Sequence, residues 1–134
     1  MSYTISTTVS LPFDEAIAVA TDALKAHGFG VLTTIDVKGT LKQKIDVDFR
    51  PYTILGACNP KMAHRALQAE DEIGAMLPCN VIVQEHAPGR VAVAAVDPAA
   101  SMQAVENPAL AEIAAEVRES LRAVIRDVET RGRG

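Results

Sequence analysis

The two cysteines of the chain are the residues best suited to chemistry, and they occur in matching contexts, Cys58-Asn59 and Cys79-Asn80. Cys58 directly precedes a predicted helix that carries two basic residues near its start. A helix N-terminus and nearby cations stabilise a thiolate, so a thiol pair for redox chemistry or sulfur transfer is one interpretation. The alternative is that both are small buried residues, as free cysteines very often are, and the chain has no CxxC motif.

The same cysteines could instead form a soft-metal site with His64 and Met62. Thiolate, imidazole and thioether ligands suit copper(I) or zinc. However, the spacing matches no known zinc pattern, and helical periodicity places Met62 and His64 on opposite faces of their helix. We therefore predict no metal ligands and no cofactor.

The remaining residues form no catalytic motif. The sequence has no serine on a G-x-S-x-G elbow, no G-x-G-x-x-G motif and no P-loop. The acidic run at residues 70–72 lacks the spacing of a calcium loop. We therefore predict a non-catalytic protein that binds a small molecule or a partner, with the thiol protein and the soft-metal binder as alternatives.

A candidate pocket is predicted where polar side chains flank the start of the central helix. Its residues are Arg50, Tyr52, Cys58, Asn59, His64, Cys79 and Asn80.

The elements that would position this pocket lie in residues 52–83. Residues 52–58 are apolar or small at consecutive positions, which predicts a strand covered on both faces. Asn59-Pro60 then predicts a helix start, because an Asn side chain caps free N–H groups and proline fits the first helical position. A second strand begins at Cys79.

Periodicity elsewhere predicts alternating strands and helices. The predicted elements are a strand at 3–9, a helix at 12–27, a strand at 29–37, a short helical turn leading into an extended segment at 40–49, a hairpin of 81–85 with 91–96, and a helix starting at Asn107-Pro108. The order β-α-β-β-α-β-β-α predicts an α+β two-layer sandwich, in which helices cover one face of a mostly antiparallel sheet.

Composition restricts the function further. The length of 134 residues predicts a single domain over 1–134, with a frayed tail at 128–134. A net charge of −4 argues against nucleic-acid binding, which needs a clustered basic surface. The sequence shows no secretory signal and no membrane-spanning stretch, so we expect a cytoplasmic protein without a membrane partner.

The sheet face away from the helices is predicted to be apolar. It would carry Ala92, Ala94 and Val96 beside Ile82, whereas a solvated sheet face is normally polar. An apolar face of this kind usually marks an interface, so we predict a homodimer.

The segment RPYTILGACNPKMAHRAL, the later IGAMLPCNVIV and the Asp97-Pro98 pair together resemble the domain of unknown function 302 family. The resemblance extends over essentially the whole chain. It implies a compact α+β fold, a homodimer and a biochemical function that has not been assigned, and it supplies no catalytic residues that could be transferred to this chain.

Overall fold

The computed structural model describes residues 2–133. The strands are β1 (Thr4–Val9), β2 (Gly30–Asp36), β3 (Tyr52–Cys58), β4 (Cys79–Ala87) and β5 (Arg90–Val96). The helices are α1 (Phe13–Ala26), α2 (Val37–Ile45), α3 (Pro60–Ala69), α4 (Pro98–Ser101) and α5 (Pro108–Arg131), with a 3₁₀ helix at Asp71–Met76 between α3 and β4. This arrangement confirms the predicted α+β fold.

The five strands form one sheet in the order β1-β5-β4-β3-β2, and every neighbouring pair is antiparallel. Alternate residues of the neighbouring strands β4 and β5 are fully buried, among them Val81, Val83, Val91 and Val93. Because side chains alternate between the faces of a strand, these residues define the face that α1 and α5 cover. The core therefore lies between this face and the helices.

Helix α5 begins where the sequence predicts. The Asn107 side chain accepts a hydrogen bond from the Ala109 N–H at 3.1 Å and donates one to the Ala69 carbonyl at 2.9 Å. The first bond caps α5, and the second ties its start to the end of α3. One asparagine thus fixes the relative position of two helices.

The sequence predicted a frayed tail from residue 128, whereas α5 continues to Arg131. Val128 is fully buried, and Gly132 approaches the Val9 side chain so closely that a Cβ atom at this position would overlap it. Packing against β1 therefore holds the last helical turn in place. Gly134, the final residue of the predicted tail, lies outside the described residues.

Helix α2 occupies much of the segment predicted as a short helical turn. The Asp36 side chain caps its start by accepting the Gly39 N–H at 3.0 Å. No residue of α2 is buried, and the Ile45 side chain that ends it is 64% exposed. The rest of the described chain therefore covers the apolar side chains of this helix only in part, with Val37 and Leu41 half-buried and Ile45 exposed.

None of the helices within residues 2–133 combines the length and the apolar character needed to cross a membrane.

Candidate functional site

An apolar cavity of about 300 Å³ lies between α3, α5 and the adjoining ends of β3 and β4. Most of its lining residues have aliphatic, aromatic or sulfur-containing side chains. They are Phe29, Leu32, Ala57, Cys58, Asn59, Met62, Ala63, Ala66, Leu67, Leu77, Pro78, Cys79, Pro98, Met102, Ile113, Ala114 and Val117.

The wall that α3 contributes is set by the Asn59-Pro60 start. The Asn59 side chain accepts a hydrogen bond from the Met62 N–H at 3.3 Å, which confirms the predicted cap. Helical periodicity then turns Met62, Ala63 and Ala66 toward the cavity. The small side chains of the two alanines leave the space open.

Replacing Asn59 by alanine should lower the free energy of unfolding by about 1 kcal/mol, because the first turn of α3 loses its cap. Asn59→Asp should cost much less, since aspartate caps equally well and favours a helix N-terminus. Urea melts of the two variants measure the difference. Equal costs would show that the amide has a role beyond capping.

The two cysteines converge on the cavity from neighbouring strands. Cys79 lies opposite Ala57 in the β3–β4 register, one residue from Cys58 at the end of β3. Both are free, partly buried thiols that line the cavity. Burial raises the pKa of the Cys79 thiol to about 11, and the nearby Cys58 contributes to the increase. Cys79 is therefore a neutral thiol at physiological pH.

Three residues of the predicted pocket, Cys58, Asn59 and Cys79, are brought together at this cavity. Tyr52 and Asn80 instead line a separate depression on the uncovered face of the sheet. The register explains the separation, because Asn80 lies opposite Gly56 and its neighbour Cys79 points to the other face. The predicted pocket therefore combined residues from both sides of one sheet.

Arg50 and His64 also lie outside the cavity lining. The Arg50 guanidinium lies 4.4 Å from the centre of the Phe49 ring and 5.7 Å from that of Tyr52, and its Nε donates a hydrogen bond to Gln84 at 2.9 Å. His64 is exposed on α3. The ligand set of two cysteines with His64 is therefore not formed.

The sequence was also compared with models of known protein families. A family model described as domain of unknown function DUF302 matches residues 5–128. The chain belongs to the DUF302 family.

A solved DUF302 structure shares this fold. The crystal structure of an uncharacterized conserved DUF302 protein from Bacillus stearothermophilus is similar to this chain, with a TM-score of 0.88 and 32% sequence identity. The similarity covers 96% of this chain and 99% of the other. No curated protein matches the sequence.

Several walls of the cavity in this DUF302 protein were not anticipated from its sequence. Phe29, Met102 and Val117 come from three distant parts of the chain and meet only in the folded protein. Val117 belongs to the apolar stripe of α5, and a position that lines a cavity looks the same in sequence as one that fills a core. The signal that could have located the site is the run of alanines on α3.

The described part of this DUF302 chain contains no group of three or more His, Cys, Asp or Glu side chains placed to hold a metal ion. Sites for metals that prefer nitrogen or oxygen ligands need such groups. The cavity offers sulfur instead, from Cys58, Cys79, Met62 and Met102.

The raised pKa of Cys79 predicts slow alkylation. With a pKa of about 11, about 1 in 10,000 Cys79 side chains is thiolate at pH 7, compared with roughly 3 in 100 for a free cysteine. Labelling of Cys79 by iodoacetamide should therefore be about 300-fold slower than in the unfolded protein, and should accelerate about tenfold per pH unit from pH 8 to pH 10. Peptide mass spectrometry measures the rate, and equal rates in native protein and in urea would contradict the burial of this thiol.

Proposed function

We propose that this protein is a non-catalytic homodimer that binds a small apolar molecule in the cavity between α3, α5 and the sheet. The observation that carries the proposal is the lining itself. Within residues 2–133, no charged side chain lines the cavity, and Asn59 supplies the one side-chain amide. A lining of this kind favours apolar ligands, with a polar group to orient them.

The volume restricts the size of the ligand. At about 300 Å³, the cavity is at the small end of ligand pockets and is about twice as large as a cavity of roughly 150 Å³ that takes up benzene. A two-ring aromatic molecule, or an aliphatic one of similar size, matches this volume. The alanines at positions 63, 66 and 114 create the space, because larger side chains there would fill it.

The chemistry of the lining favours binding over catalysis. No His, Asp, Glu, Lys or Arg within the described residues lines the cavity, so the side chains that most often act in general acid–base catalysis are missing from its lining. The high pKa of Cys79 also argues against the alternative in which both thiols transfer electrons or sulfur, since the thiolate is the reactive form.

The homodimer is proposed from the uncovered face of the sheet. Ile35 lies opposite Ile54, Ile54 opposite Ile82, and Ile82 opposite Ala94. These four residues, here called the apolar row, run side by side across β2, β3, β4 and β5. The Ile35 side chain is 46% exposed. If a second copy of the chain covers this face, its apolar surface is removed from water, which favours association.

Helix α2 extends the same argument beyond the sheet. Helix α2 contacts β2 and β3, and its last residue, Ile45, is an exposed apolar side chain, as is Val47 two residues later. A two-fold axis through the apolar row would let each copy bury the same patch of the other, as in most soluble dimers. We therefore propose a second copy of this chain as the partner of this surface.

Titration with 1-naphthol tests the ligand proposal. The protein has no tryptophan, so the fluorescence of naphthol can be excited selectively and followed as it enters the cavity. We expect saturable binding of one naphthol per chain, together with a raised melting temperature, because a ligand that binds only the native state stabilises it. Naphthol fluorescence and melting temperature that stay unchanged would contradict the proposal.

Light scattering of the same samples tests the dimer, which should have twice the mass of one chain.

A further inference from the structure

Four sulfur-containing residues from four parts of the chain line one cavity. Cys58 ends β3, Cys79 begins β4, Met62 lies in the first turn of α3, and Met102 follows α4. The β3–β4 register sets Cys79 opposite Ala57, the residue before Cys58, and both cysteines line the cavity. Two thiols and two thioethers in an apolar cavity are a set of soft ligands.

We propose that Cys58 and Cys79 together bind one copper(I) ion in this cavity, with the Met102 thioether as a third ligand. Thiolate and thioether sulfur select copper(I) among the common metal ions. Zinc instead takes four tetrahedral ligands, nearly always from cysteine, histidine or carboxylate side chains. Within the described residues the cavity supplies only two side chains of these types, Cys58 and Cys79. Residues 2–133 contain no group of three or more His, Cys, Asp or Glu side chains that could hold a metal ion.

Met102 is preferred over Met62 because the Met62 sulfur already has a partner. The Arg65 Nη1 donates to the Met62 Sδ at 3.3 Å, and Arg65 also pairs with Glu116 at 2.8 Å. Both partners lie on the exposed side of α3 and α5, so they draw the Met62 sulfur toward the surface.

The short helix α4 holds Met102 at the cavity. The Asp97 side chain caps α4 by accepting the Ala99 N–H at 3.0 Å, and it accepts a second hydrogen bond from the Arg118 Nε at 3.1 Å. Asp97 is buried, so this connection to α5 restrains the whole α4 turn that Met102 follows.

Copper(I) binding releases two protons and leaves a complex with a defined net charge. Copper(I) forms bonds to the two cysteine sulfurs and to the neutral Met102 thioether, and the two thiol protons leave for solvent, which gives a complex with one net negative charge. Helix α3 starts two residues after Cys58, and the partial positive charge of a helix N-terminus favours such an anion. The metal would enter the same cavity as the apolar ligand, so the inference goes beyond the proposed function and does not depend on it.

Competition with bicinchoninate under anaerobic, reducing conditions tests the site. We expect one copper(I) per wild-type chain, and an affinity weakened about 100-fold or more by Cys58→Ala or by Cys79→Ala. Met102→Leu should weaken it about 10-fold, since one of three ligands is lost. Met76→Leu is the matched control, because Met76 lines the depression on the other face of the sheet, and it should leave the affinity unchanged.

The same variants separate this inference from the proposed function. Circular dichroism and the melting temperature of the metal-free Cys→Ala proteins report whether the fold is intact, and naphthol binding reports on the proposed function separately. If those variants are folded but have lost tight copper(I) binding, the metal site is supported. If copper(I) binds with wild-type affinity to both variants, or if zinc displaces it stoichiometrically, the proposed site is overturned even where naphthol binding is normal.

Discussion

Replacing Ile54 by glutamate should convert the protein from a dimer to a monomer at tens of micromolar. Ile54 is central in the apolar row, opposite Ile35 on one side and Ile82 on the other. A carboxylate buried there without a partner costs several kcal/mol, and two-fold symmetry places two of them in each dimer. Light scattering should show the mass of two chains for the wild type and of one chain for the variant.

The fold of the Ile54→Glu monomer should survive, because this side chain points away from the face that α1 and α5 cover. Ala18→Glu provides the control, since Ala18 is exposed on α1 and far from the apolar row. It should remain a dimer. A wild-type protein with the mass of one chain, or an Ile54→Glu variant that stays dimeric, would show that this face is not the interface.

Filling the cavity should have the second large effect. Ala63→Leu adds three carbon atoms at the wall formed by α3 and should weaken naphthol binding by about 10-fold or more, which corresponds to about 1.4 kcal/mol. Ala63 is partly exposed, so the larger side chain can enter the cavity without displacing the surrounding core. Fluorescence titration measures the change in affinity.

Ala115→Leu is the matched control for this variant. Ala115 is an exposed alanine on α5 that does not line the cavity, so the same substitution there adds apolar surface without changing the site. Its naphthol affinity should equal that of the wild type. If the two leucine variants lose affinity equally, naphthol binds elsewhere.

Local chemistry explains why much of the fold could be predicted from the sequence. The Asn59 and Asn107 caps are set by a side chain and an N–H two or three residues away, so the residue types alone indicate them. The apolar stripe of α5 is likewise a property of helical spacing. The extent of α2 was harder to predict, because it buries no residue and its pattern fits a helix and a strand almost equally.

The residues of the site were harder to predict from the sequence, because strand register determines which side chains line the cavity. Cys79 and Asn80 are neighbours in the chain but point to opposite faces of the sheet, so a pocket drawn from adjacent polar residues divides in two. Met102 and Phe29 join the cavity only through the docking of α4 and of the β2 start onto the rest of the fold. No local pattern encodes such contacts.

Methyl spectra of the methionines during a naphthol titration test the ligand proposal most directly. The chain has four methionines; Met62 and Met102 line the cavity, and Met76 lies on the opposite side of the sheet. Because an aromatic ring shifts the resonances of methyl groups beside it, the proposal predicts large saturable shifts for Met62 and Met102 and an unchanged Met76 signal. Shifts confined to Met76, or unchanged Met62 and Met102 signals at saturating naphthol, would contradict it.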